Sequence, residues 1–279
     1  MSRRSGNVAH FDSAAASWRD VYEAETPSGA TYRARMAAVL EWVDATGLQP
    51  GAAVLDAGCG AGLAAAALAR RDYRVDAVDA STAMVELTAS HAAEQGLQEA
   101  ISAQTADVQR LPFADRSFEL VVALGLLPWV DDPAATLREL ARVLRPGGHA
   151  IVSADNRARL SFLLDPWANP FLIRVRQLRQ IVRRGTARPR GIIVRFQWPS
   201  TVDRLVAAAG LECVDARTVG FERFTLHSRE LFDDATAVRI HKRLQALADH
   251  GVPGFRGTGA HYLVHVRKPM GGTGTKSPF

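Results

Sequence analysis

The chain has 279 residues, 47% apolar and 23% charged, which excludes a disordered or fibrous polypeptide and provides for one large core, with or without an insertion. Its net charge of +5 is local: ten arginines against one acid between residues 157 and 195 carry +9 and leave −4 elsewhere, which argues against a general nucleic-acid binder. Two cysteines, Cys59 and Cys213, exclude a disulfide framework, and with no signal-like start and no apolar run near the ~20 residues that span a bilayer, a cytoplasmic protein is expected.

The first elements are helical. Phe11, Trp18 and Tyr22 stand at helix-like spacing, and residues 32–47 form an amphipathic pattern that stops at Gly47. Strand and helix then alternate: "AAVLD", a helix over "AGLAAAALARR", "YRVDAVD", and a helix over "STAMVELTASHAAEQG" capped by Ser81. "ISAQTAD" and "FELVVALG" read as the third and fourth strands, "PAATLRELARVLRPGG" as a helix closed by Pro-Gly-Gly, and "HAIVSAD" as the fifth strand. The alternation lapses from Asn156 to Trp198 and resumes with a helix and sixth strand in "STVDRLVAAAGLECVDARTVGF", a helix near 232–250, and a last strand in "AHYLVHVRK". Such a rhythm predicts an α/β fold, a doubly wound, Rossmann-like and mostly parallel sheet with an antiparallel last strand, whose ligands bind at the carboxyl ends of the strands.

The stretch "VLDAGCGAG", residues 54–62, carries the most chemistry. Gly58, Gly60 and Gly62 form G-x-G-x-G, and Leu63 stands where a dinucleotide fingerprint needs its third glycine. No lysine follows, so a phosphate-binding P-loop is excluded as well. Asp56, just before the turn, is badly placed beside a phosphate and suits a cation.

With these residues in view, "VLDAGCGAG" resembles the first motif of the class I S-adenosylmethionine-dependent methyltransferases. "VDAVDAS", "TADVQRLPFADRSFELVVA" and "LRELARVLRPGGHAIVS" resemble the later motifs, in the order typical of the branch with the ubiquinone and menaquinone methyltransferases. The resemblance covers about residues 50–155 and implies S-adenosylmethionine as cofactor, with S-adenosylhomocysteine as product. It implies Asp79 at the ribose hydroxyls and Asp107 and Val108 at the adenine, with Asp56, Gly58, Cys59, Gly60, Gly62, Ala80, Met84 and Leu124 completing the cofactor site. Cys59 is expected to fill space in the turn rather than act as a nucleophile. The implied activity is methyl transfer to a small molecule, first to an oxygen (hydroxyl or carboxyl) of a natural-product, quinone or lipid-like acceptor. Carbon or nitrogen acceptors, and a scaffold that binds cofactor without catalysis, stay open.

On this reading residues 1–48 help cover the active site, 49–156 form the cofactor-binding core, 157–198 a basic lid insertion, 199–269 the rest of the same domain and 270–279 a disordered tail. The acceptor site is expected beyond strands four and five, with Trp18, Tyr22, Trp129, Asp155 and Asn156 as candidates. His227 and His261 are the candidate general bases, because histidine titrates nearest neutrality, and no metal is expected. The stretch "NPFLIRVRQLRQIVRRG" sets apolar and arginine side chains on separate helical faces, so a basic amphipathic helix near 171–183 is expected to close over an anionic or lipophilic acceptor or to touch a membrane surface. No nucleic acid is expected as partner, and oligomeric state is not readable.

Overall fold

A computed structural model describes residues 3–18, 21, 24–172, 194–227 and 229–270. Most of the expected basic helix, Tyr22 and residues 271–279 lie outside them.

Helices α1 (Arg3–Trp18) and α2 (Pro27–Ala45) precede the alternating part of the chain. β1 (Ala53–Ala57), α3 (Leu63–Ala69), β2 (Arg74–Asp79), α4 (Thr82–Glu94) and β3 (Ile101–Thr105) form its first half. β4 (Phe118–Ala123), α5 (Pro133–Val143) and β5 (Leu144–Asp155) follow, then the short α6 (Leu160–Leu164). α7 (Pro199–Ala208), β6 (Glu212–Val219), the small hairpin β7 (Thr225–Leu226) and β8 (Arg229–Glu230), α8 (Asp234–Asp249) and β9 (His261–Arg267) complete the described chain.

Seven strands pair in the order β3-β2-β1-β4-β5-β9-β6. The first five run parallel, while β9 is antiparallel to both neighbours. The order reverses at β1 and β4, so their carboxyl ends open a crevice between the two halves of the sheet. Apolar clusters cover both faces, one around Leu55, Phe118, Leu137 and Val264, the other around Val54, Trp42, Leu120 and Leu263. Burial on both faces explains why β1 and β4 read as apolar runs rather than alternating strands.

Two elements differ from the sequence expectation. α2 begins at Pro27, not near residue 32, because Thr26 caps it: its hydroxyl accepts from Gly29 N at 3.2 Å and Pro27 occupies the first turn, where no N–H is required. β5 begins at Leu144, not His149. "RPGG" does end α5, yet it runs on as a bulged start of the strand, with pairing shifted between Phe118 and Leu120. Gly147 is in the left-handed region (φ 78°), and a side chain at Gly148 would lie 2.9 Å from the Glu119 carbonyl.

Candidate active site

The glycine turn folds over the end of β2: Gly58 N and Cys59 N both donate to the Val78 carbonyl, at 2.7 and 3.0 Å. Gly58, Gly60 and Gly62 all have positive φ (77°, 52° and 75°), which glycine adopts without steric cost. At Gly58 a methyl group would touch Leu126, and at Gly62 it would lie 2.9 Å from Thr88 on α4. Thr88 returns a hydrogen bond to the Gly60 carbonyl (2.8 Å) and lies 3.5 Å from Cys59 Sγ. Cys59 is buried, and burial pushes its thiol pKa up, so it offers no thiolate at neutral pH.

A cavity of about 370 Å³ opens in front of this turn. Its cofactor half is lined by Asp56, Gly58, Cys59, Gly60, Asp79, Ala80, Met84, Asp107, Val108 and Leu124, while Gly62 sits behind it, packing α3 on α4. Asp79 ends β2 with one carboxylate oxygen accepting from Gly60 N (3.1 Å) and the other from Ser81 N (2.9 Å), so it braces the turn while facing the cavity. Ser81 caps α4 and donates to Asp12 of α1 at 2.5 Å. Asp107 accepts from Gln109 N at 3.0 Å. Asp56 is 1% exposed, its Oδ2 is buried without a hydrogen-bond partner, and burial raises its pKa to about 7. An orphaned carboxylate oxygen at a cavity wall calls for a donor from a ligand.

The other half is built by α1, α2 and the carboxyl ends of β4, β5 and β6. Phe11 and Trp129 meet edge to face (4.9 Å), Trp18 lies over Gly60, and Asn7 ties α1 down through the Trp129 carbonyl (2.8 Å). Beyond them stands a polar group: Asp155 at the end of β5, His261 at the start of β9, Glu222, Arg159 and Arg35. His261 Nδ1 is 3.0 Å from Asp155 Oδ1, and because an ionised carboxylate only accepts, Nδ1 carries the proton. In the neutral imidazole, the form a base requires, Nε2 then bears the lone pair. It is buried without a hydrogen-bond partner, with Glu222 Oε1 at 3.8 Å. Burial would raise the Asp155 pKa, but the hydrogen bond from His261 and the charges of His261, Arg159 and Arg35 bring it below its ordinary value.

Two candidates stand elsewhere. His227 is exposed on the turn between β7 and β8, its N–H bound to Asp165 (3.1 Å) and its ring against Trp167. The hairpin carries it away from the crevice, so it is no base for this cavity. Asn156 is fully buried and saturated, donating to the Gly257 and Gly259 carbonyls and accepting from Ala158 N. It locks the turn after β5 rather than facing an acceptor. Arg35, Arg159, Glu222 and Tyr32 carry no motif and came into view only when the sheet order brought α2, β5 and β9 together.

A family model described as a methyltransferase domain matches residues 55–152. A ubiquinone biosynthesis O-methyltransferase of Alkalilimnicola ehrlichii is 33% identical over 205 residues, spanning 73% of this chain and 77% of the relative. The chain belongs to the class I S-adenosylmethionine-dependent methyltransferases. A second methyltransferase with the same description, from Aeromonas salmonicida, is 29% identical over 73% of this chain and 80% of its own length. Among solved structures, geranyl diphosphate C-methyltransferase from Streptomyces coelicolor, whose complex contains S-adenosylhomocysteine, shares the fold at a TM-score of 0.52. The two are 17% identical over 83% of this chain and 79% of that one. The cofactor of this methyltransferase is S-adenosylmethionine, and the residues present fit it: the side-chain-free cradle at Gly58 and Gly60, the orphaned oxygen of Asp56 for a cationic group, and Asp79 at the cavity wall.

Proposed function

We propose that this methyltransferase acts on a ring hydroxyl of a quinone-type small molecule, with His261 as general base. The observation that carries the proposal is the buried Nε2 of His261, which lacks a hydrogen-bond partner on a residue that lines the same cavity as the glycine turn, with Nδ1 held by Asp155. The description of the sequence relatives as ubiquinone biosynthesis O-methyltransferases supports an oxygen acceptor. When bound, S-adenosylmethionine supplies a methyl group already activated by its sulfonium. The protein aligns the acceptor and removes its proton: Nε2 takes the hydroxyl hydrogen, and Asp155 holds the ring in one tautomer and stabilises the imidazolium. Phe11, Trp129 and Phe196 supply flat apolar walls for a ring, and α1 shields the cavity from water.

The test is single-turnover formation of S-adenosylhomocysteine from a substituted hydroquinone. His261→Asn is expected to slow the first turnover by about 10²- to 10⁴-fold, with the rate rising with pH where a hydroxide route takes over. A variant as fast as the parent overturns the assignment.

The same chain is proposed to meet its acceptor at an anionic lipid surface. Exposed Leu164, Trp167, Phe171 and Leu172 lead directly into the arginine-rich stretch of the sequence, and Leu226, Leu231 and Phe232 are exposed on and beside the hairpin that Asp165 anchors.

A further inference from the structure

The acceptor end of the cavity holds two arginines, Arg159 and Arg35. Arg159 is committed to the fold: Nε donates to the Asn156 carbonyl (3.2 Å), one terminal nitrogen to Glu222 (2.7 Å) and the other to the Ala260 carbonyl (3.1 Å). Arg35 comes from α2, which otherwise presents Ala38, Val39, Trp42 and Val43 to the core. It is 4% exposed, its guanidinium lies 4.7 Å from the centroid of the Tyr32 ring, and the same ring stacks with His261 at 5.9 Å.

Gly125 leaves room for it. A Cβ added there would lie 3.3 Å from an Arg35 terminal nitrogen, and Gly125 N is itself pinned by the Ser153 hydroxyl at 2.7 Å. The guanidinium therefore lies over the carboxyl ends of β4 and β5, in the half of the cavity that also holds His261. A positive charge in this place does two things that packing does not require. It leaves the end of the cavity formally neutral while His261 is neutral, with Arg35 and Arg159 against Asp155 and Glu222. It also makes room for one further negative charge once His261 has taken a proton.

We propose that Arg35 binds the acceptor oxygen and stabilises it as an oxyanion when His261 removes its proton. The inference rests on the ring-hydroxyl reading above and adds to it a residue and a role. In the step itself the O–H bond breaks, its proton goes to His261 Nε2, and its electron pair stays on oxygen beside the guanidinium. The new O–CH3 bond then uses that pair as the sulfur–methyl bond of the established donor breaks, its electrons staying on sulfur and S-adenosylhomocysteine being the leaving group. A guanidinium has five N–H donors, so one oxyanion can be served alongside interactions within the protein. A donor preorganised where charge develops is the arrangement that lowers such a barrier most.

The experiment uses 4-nitrophenol, whose phenolate is yellow, with the S-adenosylhomocysteine-loaded protein. Titrating absorbance against pH gives the pKa of the bound phenol. The expected result is a pKa at least one unit below that of free 4-nitrophenol, about a tenfold gain in ionisation constant, which Arg35→Met abolishes and Arg35→Lys retains in part. A bound pKa unchanged or raised in the unmodified protein overturns the proposal without recourse to any variant. An equal lowering in Arg35→Met overturns it too, while leaving the ring-hydroxyl reading intact. Failure of the loaded protein to bind 4-nitrophenol sinks that reading, and the role of Arg35 goes with it.

Discussion

Gly62 shows how much one atom matters at the turn. Its φ of 75° lies in the left-handed region, and an added Cβ would meet Thr88 at 2.9 to 3.0 Å, including the backbone of α4. Gly62→Ala should therefore cost about 1–3 kcal/mol, strain and overpacking together, and move the urea midpoint down with an unchanged slope. An unchanged midpoint would show that the turn relaxes freely. This residue was legible because backbone conformation dictates its type, and the acids Asp56 and Asp79 were legible because they end strands at recognisable intervals. Arg35 was not. In "YRARMAAVLEWV" an arginine beside a second one reads as the solvated face of a helix, and nothing local says that one of them is buried under β4 and β5. His261 was legible only as one histidine among eight, whereas His227, which also stood near a strand end, was misplaced by a two-residue hairpin with no apolar pattern.

At the scale of elements, the alternating part was readable because its central strands β1 and β4 are buried almost throughout and several of its helices carry side-chain caps. Ser81 caps α4, Asp132 accepts from Ala134 N and Ala135 N at the start of α5, and Asp233 accepts from Thr236 N at the start of α8. Boundaries failed where glycine or proline serves a turn and an element at once, as at Pro27 and at Gly147. Between β5 and α7 the alternation of strand and helix lapses, and the described part of that stretch leaves large apolar side chains on the surface: Trp167 is 53% exposed and Phe171 67%. One such side chain transferred out of water is worth roughly 1.5–3 kcal/mol, and each nearby arginine adds about 1 kcal/mol at an anionic surface. Vesicles of phosphatidylglycerol should therefore sediment the protein where phosphatidylcholine vesicles do not, and the pair Trp167→Ser and Phe171→Ser should weaken partitioning at least tenfold. Equal sedimentation with both lipids, or by the double variant, would remove the lipid-surface reading while leaving the catalytic one in place.

For the whole molecule, pH stability follows from groups buried in unlike environments on different elements. Asp56 has its folded pKa raised to about 7 by burial, and Asp79 is shifted in the same direction. A raised acid contributes stability that is fully present below its unfolded pKa, near 4, and is lost as pH climbs through the folded value. For Asp56 alone this is on the order of 4 kcal/mol across that window. His265, 3.0 Å from His149 and buried, is pulled down to about 4, and His149 and His241 are lowered too. A depressed histidine works the other way: its stability is present above about 6.5 and lost as pH falls toward 4. The two slopes oppose each other between about pH 4 and 6.5, so the protein without cofactor should melt at nearly constant temperature there. Asp56→Asn removes one slope. Its melting temperature should rise above the parent's at pH 8 and fall from pH 6.5 to 4.5, where the histidine slope is opposed by Asp79 without Asp56. Cofactor binding supplies the other half of the argument, since a cationic group beside Asp56 favours the ionised carboxylate and must release a proton. Calorimetric titration with S-adenosylhomocysteine at pH 6, in buffers of different ionisation enthalpy, should report that release in the parent and its loss in Asp56→Asn. A parent that releases no proton would mean that Asp56 is already ionised in the empty cavity, and the loss of stability with rising pH on its side of the balance would have to vanish from the melting profile as well.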